Sequence, residues 1–197
     1  APGAGPPRHV AAGLRAPGRW AVELIGAPAV VPTVLRVPED IEDLQAAIVA
    51  AADGARIDVA PGVWRGPFFM LGRELELVAR ESHAPERTVL EGDGQSAVVR
   101  YWGTEAAGRI EGFTIRGGGR GGISGREEPA MATRARATIR GNVIQRNAGY
   151  DGGGVREMGG LVENNLIETN FSDRGGGISS FHGTIRGNRI IGNYAND

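Results

Sequence analysis

Apolar and polar positions recur along the second half of the chain with a fixed offset. Ile139, Val162 and Ile185 stand 23 residues apart, as do Ile144, Ile167 and Ile190, and as do Val155 and Ile178. Two polar series keep the same step: Asn142, Asn165 and Asn188, and Asn147, Asn170 and Asn193. A period of this length marks a solenoid, in which one coil cannot bury its apolar face alone and stacks on the next. Equivalent side chains then fall in columns about 4.8 Å apart from coil to coil. Aliphatic columns fill the interior, and asparagine columns hydrogen-bond along the stack as amide ladders do. Asparagine also tolerates the left-handed backbone, which is expected at these turn positions. The predicted fold is all-β, a right-handed parallel β-helix with one N-terminal capping helix.

Earlier coils follow the pattern more loosely. Ile110-Glu-Gly-Phe113-Thr-Ile115 matches Ile139-Arg-Gly-Asn142-Val-Ile144 at a spacing of 29, and the excess of 6 is expected to form a loop at Arg126–Ala130. Leu75–Val78, Thr88–Leu90 and Ala97–Val99 read as short strands between turns. The leucine-rich repeat has a similar period but needs a leucine frame, and here the frame is isoleucine, valine and glycine. Upstream, Ile41, Leu44, Ile48 and Ala51 fall on one helical face, predicting a helix over about 40–52 with Asp40 as N-cap. Gly54 suits its stop. The predicted layout is a Pro/Gly/Ala-rich flexible tail over 1–18, a cap over 19–64, and coils over 65–197 that the natural protein is expected to continue.

The segment Ile41-x-x-Leu44-x-x-Ala47-Ile48-x-x-Ala51, then Ile57-Asp58-Val59 and Ala60-Pro61-Gly62-Val63-Trp64, resembles the opening of the pectin-lyase-like β-helix superfamily. That resemblance implies a helix closing the N-terminal end of the solenoid, where strand edges and core would otherwise lie open. It implies a saccharide groove on the solvent face of the strand that follows the glycines. The superfamily hosts lyases, hydrolases, esterases, epimerases, tailspikes and non-catalytic proteins, so it implies no single activity.

On that face the register places Arg156 beside Ser179, Glu157 beside Ser180, and Asp151 beside Arg174, with His182 further along. Arginine can hold a uronate carboxylate bidentately, so Arg156, Arg174 and His182 are the candidate binding residues. A glycoside hydrolase needs two carboxyls about 5 to 9 Å apart, and a lyase needs a base beside a cation. The candidate catalytic groups are therefore Asp151, Glu157, Asp173 and Arg174. The expected function is an exported carbohydrate-binding or carbohydrate-active protein acting on acidic polysaccharide, secreted or at the cell surface. The alternative is a non-catalytic structural or display solenoid. No cofactor is expected, apart from the calcium that Asp151 and Asp173 would suit between coils.

Composition narrows the classes further. Among 197 residues 33 are glycine, well above the usual share and consistent with many tight turns. The formal net charge of -1 gives no reason to expect nucleic acid as a partner, and no apolar run is long enough for membrane insertion. Cysteine is absent, so disulfides and thiolate metal sites are excluded. Every cation is an arginine, which excludes Schiff-base chemistry and a P-loop lysine. Gly117-x-Gly119-x-x-Gly122 matches a dinucleotide fingerprint, but no helical period follows, so it reads as turns. Asn170-Phe-Ser172 is a glycosylation sequon whose asparagine belongs to the ladder. Trp64, Tyr101 and Trp102 are expected to pack in the cap and turns.

Overall fold

The computed structural model describes residues 11–12, 22–23, 33–101, 108–125 and 135–196. The chain divides into two units, Ala1–Val31 and Pro32–Asp197. In the first, Ala11–Ala12 pairs antiparallel with Val22–Glu23. The rest of the predicted tail, the loop at 126–130 and Trp102 lie outside the described residues.

The second unit is a right-handed parallel β-helix whose strands form stacked walls. A first wall of seven strands runs from Val34–Val37 to His182–Arg186, and a second wall of six runs from Gly62–Arg65 to Arg189–Ile191. The third wall has five short strands, Phe68–Phe69, Val99–Arg100, Ile123–Ser124, Val155–Arg156 and Ile178–Ser179. In the last coils a fourth wall of three strands, Ala148–Asp151, Phe171–Arg174 and Tyr194–Ala195, is inserted before the third. All pairing in these walls is parallel, and Ile139 is in register with both Ile110 and Val162, and Val162 with Ile185.

The interior is continuous. Ile110, Ile139 and Val162, and likewise Ile115, Ile144 and Ile167, are fully buried in one core. Their counterparts in the last described coil, Ile185 and Ile190, are each 46% exposed because no further described coil covers them.

The asparagines stand in two columns. Asn142 Nδ2 donates to Asn165 Oδ1 at 3.1 Å, and Asn165 Nδ2 to Asn188 Oδ1 at 2.9 Å. The second column repeats this from Asn147 to Asn170 at 3.0 Å and from Asn170 to Asn193 at 2.9 Å. Each oxygen also accepts the preceding asparagine's backbone N–H, and each amide also donates to a carbonyl across the coil, such as Asn165 to Ile139 O at 2.9 Å. The columns are headed by Phe113 N and Gly118 N, which donate to Asn142 and Asn147. Four of these asparagines are at most 2% exposed, and a buried amide is tolerated because its hydrogen bonds are made.

The left-handed backbone falls one residue earlier than expected. Gly141, Asn164 and Gly187 precede the first column, and Arg146, Thr169 and Gly192 precede the second, all with φ between 50° and 62°. The reversal is made at that residue, which turns the following asparagine inward. Ladder amide and left-handed turn are therefore tasks for neighbouring residues.

The helix is shorter than its apolar face suggested, running Leu44–Ala50 with Asp43 as N-cap. Asp43 Oδ1 accepts from Ala46 N, whereas the Asp40 carboxylate accepts from Arg36 N at 2.8 Å and closes a turn. Leu44, Ala47 and Ile48 face the core. Gln45 covers the edge of the third wall: its Oε1 accepts from Phe69 N at 2.8 Å and its Nε2 donates to Phe69 O at 3.3 Å. The side chain thus serves the backbone groups that a further strand would have paired. Arg73 closes the other end of the helix by donating to Ala51 O and Val49 O.

Candidate functional site

The face after the glycines divides at a corner. Glu157 and Ser180, at φ 52° and 50°, turn the chain out of the third wall and into the first wall of the next coil. His182 therefore lies beyond the corner, exposed and paired with Gly159, on a different wall from Arg156. The sequence pattern ran these residues together because Glu and Ser carry no signature of the left-handed conformation they adopt.

Arg156 is in register with Ser179, and Asp151 with Arg174. Arg156 Nη2 donates to Glu157 Oε2 at 2.8 Å, with both side chains largely buried. Glu157 is 8% exposed, so one carboxylate proposed for chemistry serves a short, enclosed ion pair. Asp173 Oδ1 accepts from Asn196 Nδ2 at 2.9 Å. Among the described residues, no group of three or more His, Asp and Glu stands close enough to hold a metal ion.

Arg174 belongs to the fourth wall, where its guanidinium carbon lies 5.8 Å from the centre of the Tyr150 ring. In the same wall Phe171 and Tyr194 are in register and stack with centroids 5.5 Å apart and planes within 9°. Tyr150, Phe171 and Tyr194 are 62%, 43% and 58% exposed, which is unusual for three aromatics on one small sheet. The sequence held the signal for part of this: Ala148, Phe171 and Tyr194 keep the 23-residue step.

The third wall carries an outward column of Phe69, Arg100, Ser124, Arg156 and Ser179. Arg100 lies over the Phe69 ring, 5.1 Å from its centre. Burial, then the neighbouring charge of Arg120, pushes the Arg100 guanidinium below its ordinary pKa; Arg156 adds to this and Asp93 opposes it. Asp93 is itself held below the usual carboxylate range by the backbone N–H groups of Ser96 and Gln95. The first two walls are different, because their outward charges alternate in sign. Arg109 bonds Glu76 at 2.7 Å, Arg140 bonds Glu111 at 2.9 Å, Arg186 bonds Glu163 at 2.7 Å, and Arg65 and Arg116 share Glu91.

The class these observations define is a parallel β-solenoid with amide ladders. No known protein family matches the sequence, and neither a curated protein nor a solved structure matches it.

Proposed function

We propose that this chain is a carbohydrate-binding β-helix of the pectin-lyase-like kind, and that it takes an acidic polysaccharide on the outside of its last coils. The observation that carries the reading is the exposed aromatic and cationic surface of the fourth wall, Tyr150, Phe171, Tyr194 and Arg174. Aromatic rings give a sugar an apolar surface, and a guanidinium gives its carboxylate a bidentate partner. Binding is better supported than cleavage. Of the carboxyls considered for catalysis, Glu157 is enclosed against Arg156, Asp173 is held by Asn196, and Asp151 stands beside Arg174. Such a protein works where polysaccharide is met, outside the cell or on its surface. A calcium ion between Asp151 and Asp173 stays an addition to this reading that calcium titration would test.

The test is a binding and cleavage assay on polygalacturonate, alginate and an uncharged glucan. Retention of the uronans with unchanged chain length, and weakening by Tyr150→Ala and Arg174→Ala, supports the proposal. Shortened uronan chains, lost on Asp151→Asn or Asp173→Asn, would replace it with the lyase or hydrolase reading. No retention of any uronan would end both in favour of a structural solenoid.

A further inference from the structure

We infer that Asp173 and Asn196 read the hydroxyls of a bound sugar, so that the fourth wall takes a pyranose whose two adjacent ring hydroxyls are free. This rests on the carbohydrate reading above and names which sugars that surface accepts.

Along the strand Phe171–Arg174 the side chains alternate. Ser172 is fully buried, and Phe171 and Asp173 face outward on either side of it. The next coil repeats the arrangement: Tyr194 is in register with Phe171, and Asn196 N donates to Ser172 O at 3.2 Å. Two outward columns therefore run side by side, two residues or about 6.6 Å apart along the strands. One is apolar, the stacked rings of Phe171 and Tyr194 with centroids 5.5 Å apart. The other is polar, with Asp173 Oδ1 accepting from Asn196 Nδ2 at 2.9 Å. A pyranose laid against the rings brings its hydroxyl edge to the polar column.

That hydrogen bond leaves a defined set of groups to offer. A carboxylate only accepts, and a primary amide has two donor hydrogens and one acceptor. With one hydrogen given to Asp173, the pair keeps Asp173 Oδ2 and Asn196 Oδ1 as acceptors and one Nδ2 hydrogen as a donor. Among the described residues these three are not taken up. Two neighbouring hydroxyls match them. One donates to Asp173 Oδ2 and accepts from Asn196 Nδ2, and the other donates to Asn196 Oδ1. The bond between the two side chains also orders them before a ligand arrives, so less freedom is lost on binding.

Charge then orients the sugar. Asp173 repels a uronate carboxylate, whereas Arg174, over the Tyr150 ring of the preceding coil, attracts it. In a hexuronate the carboxyl and the two adjacent hydroxyls lie on opposite edges of the ring. A cation at one place and the Asp173–Asn196 pair at another suit those two edges.

The experiment measures binding of polygalacturonate, and of the same polymer O-acetylated on its ring hydroxyls, to the whole chain. The variants are Asp173→Ala, Asn196→Ala and, as a charge control in the exposed turn before the helix, Glu42→Gln. Acetylation should weaken wild-type binding about tenfold, and so should Asp173→Ala on the unmodified polymer, the size of one lost charge-assisted contact. Asn196→Ala should weaken it less, and Glu42→Gln should leave it unchanged. The two losses should not add: Asp173→Ala should bind acetylated and unmodified polymer alike. Removing a negative charge that touches no ligand would leave a polyanion bound as before or more tightly. Asp173→Ala with unchanged or tighter binding, or acetylated polymer bound as well as unmodified, would therefore overturn the inference. If polygalacturonate is still held through Tyr150 and Arg174 in that case, the fourth-wall reading survives; no binding of polygalacturonate at all overturns both.

Discussion

The coils before residue 125 and those after 135 solve one problem in two ways. Each coil has an inward-facing position where the first wall turns into the second. Down the solenoid it is occupied by Gly62, Thr88, Phe113, Asn142, Asn165 and Asn188 in turn. The early coils pack their interior with bulk, Tyr101, Phe68, Met70 and several leucines being among the largest fully buried side chains, and put only a small residue or Phe113 at that position. The late coils fill it with amides that bind one another and the backbone. The difference shows in coil length. Paired first-wall residues Arg56 and Glu76 are 20 apart, Glu76 and Arg109 are 33, and Arg109 and Thr138 are 29. Thr138 to Leu161 and Leu161 to Thr184 are both 23. A column of apolar side chains tolerates unequal coils because packing is non-directional. An amide column does not, since each link needs donor and acceptor within hydrogen-bond reach.

Substitution at one turn position in each region gives the largest contrast. Asn165→Ala removes an amide that binds Ile139 O and Asn188 Oδ1, and it leaves Asn142 N without its acceptor and Asn142 Nδ2 with Ile110 O alone. It should cost about 3 kcal/mol in urea unfolding. The matching Thr88→Val should cost less than about 1 kcal/mol or stabilise, because Thr88 Oγ1 is buried and finds no partner among the described residues. Equal losses at the two positions would erase the distinction.

Next comes the glycine column of the late coils. A Cβ at Gly154 would lie 2.4 Å from Gly177 O and 3.2 Å from Asn170 Nδ2. Gly154→Ala should therefore lower stability by about 2 kcal/mol, read as a fall in melting temperature. Gly54→Ala, with nothing within 4 Å of its Cβ, tests φ +76° alone and should cost about 1 kcal/mol.

At the capped end, Asp43→Ala should cost about 1 kcal/mol by removing the carboxylate that accepts from Ala46 N. The smallest effect belongs to Glu39, which Arg80 holds at a pKa of about 2, below its ordinary 4.5. A depressed carboxylate pKa stabilises the fold above the unfolded value, and the gain is lost as pH falls from 4.5 through 2. Wild type should therefore lose slightly more stability than Glu39→Gln between pH 5 and 2, with the two curves parallel above pH 5.

The same contrast explains what could be read in the sequence. The late coils were legible because equal coil length makes register a subtraction: Asn142 to Asn165 to Asn188, and likewise Asp151 to Arg174. The third-wall arginines were not. Arg100 and Arg156 share a column, yet they stand 24 and 32 residues from Ser124, which lies between them, so no fixed offset joins them. The corner at Glu157 and Ser180 was hidden for another reason, since left-handed backbone at a non-glycine residue is imposed by the stack. The helix was recognised but overextended, because Ile41 packs against the core from a turn and so mimics a helical face.

Side chains of successive coils act on one another in columns, and a double-mutant cycle measures that action. Asn142→Ala and Asn165→Ala, singly and together, should show a coupling above about 1 kcal/mol in urea unfolding, while Asn165→Ala and Asn170→Ala, from different columns, should add to within about 0.5 kcal/mol. Additive losses for Asn142 and Asn165 would contradict it.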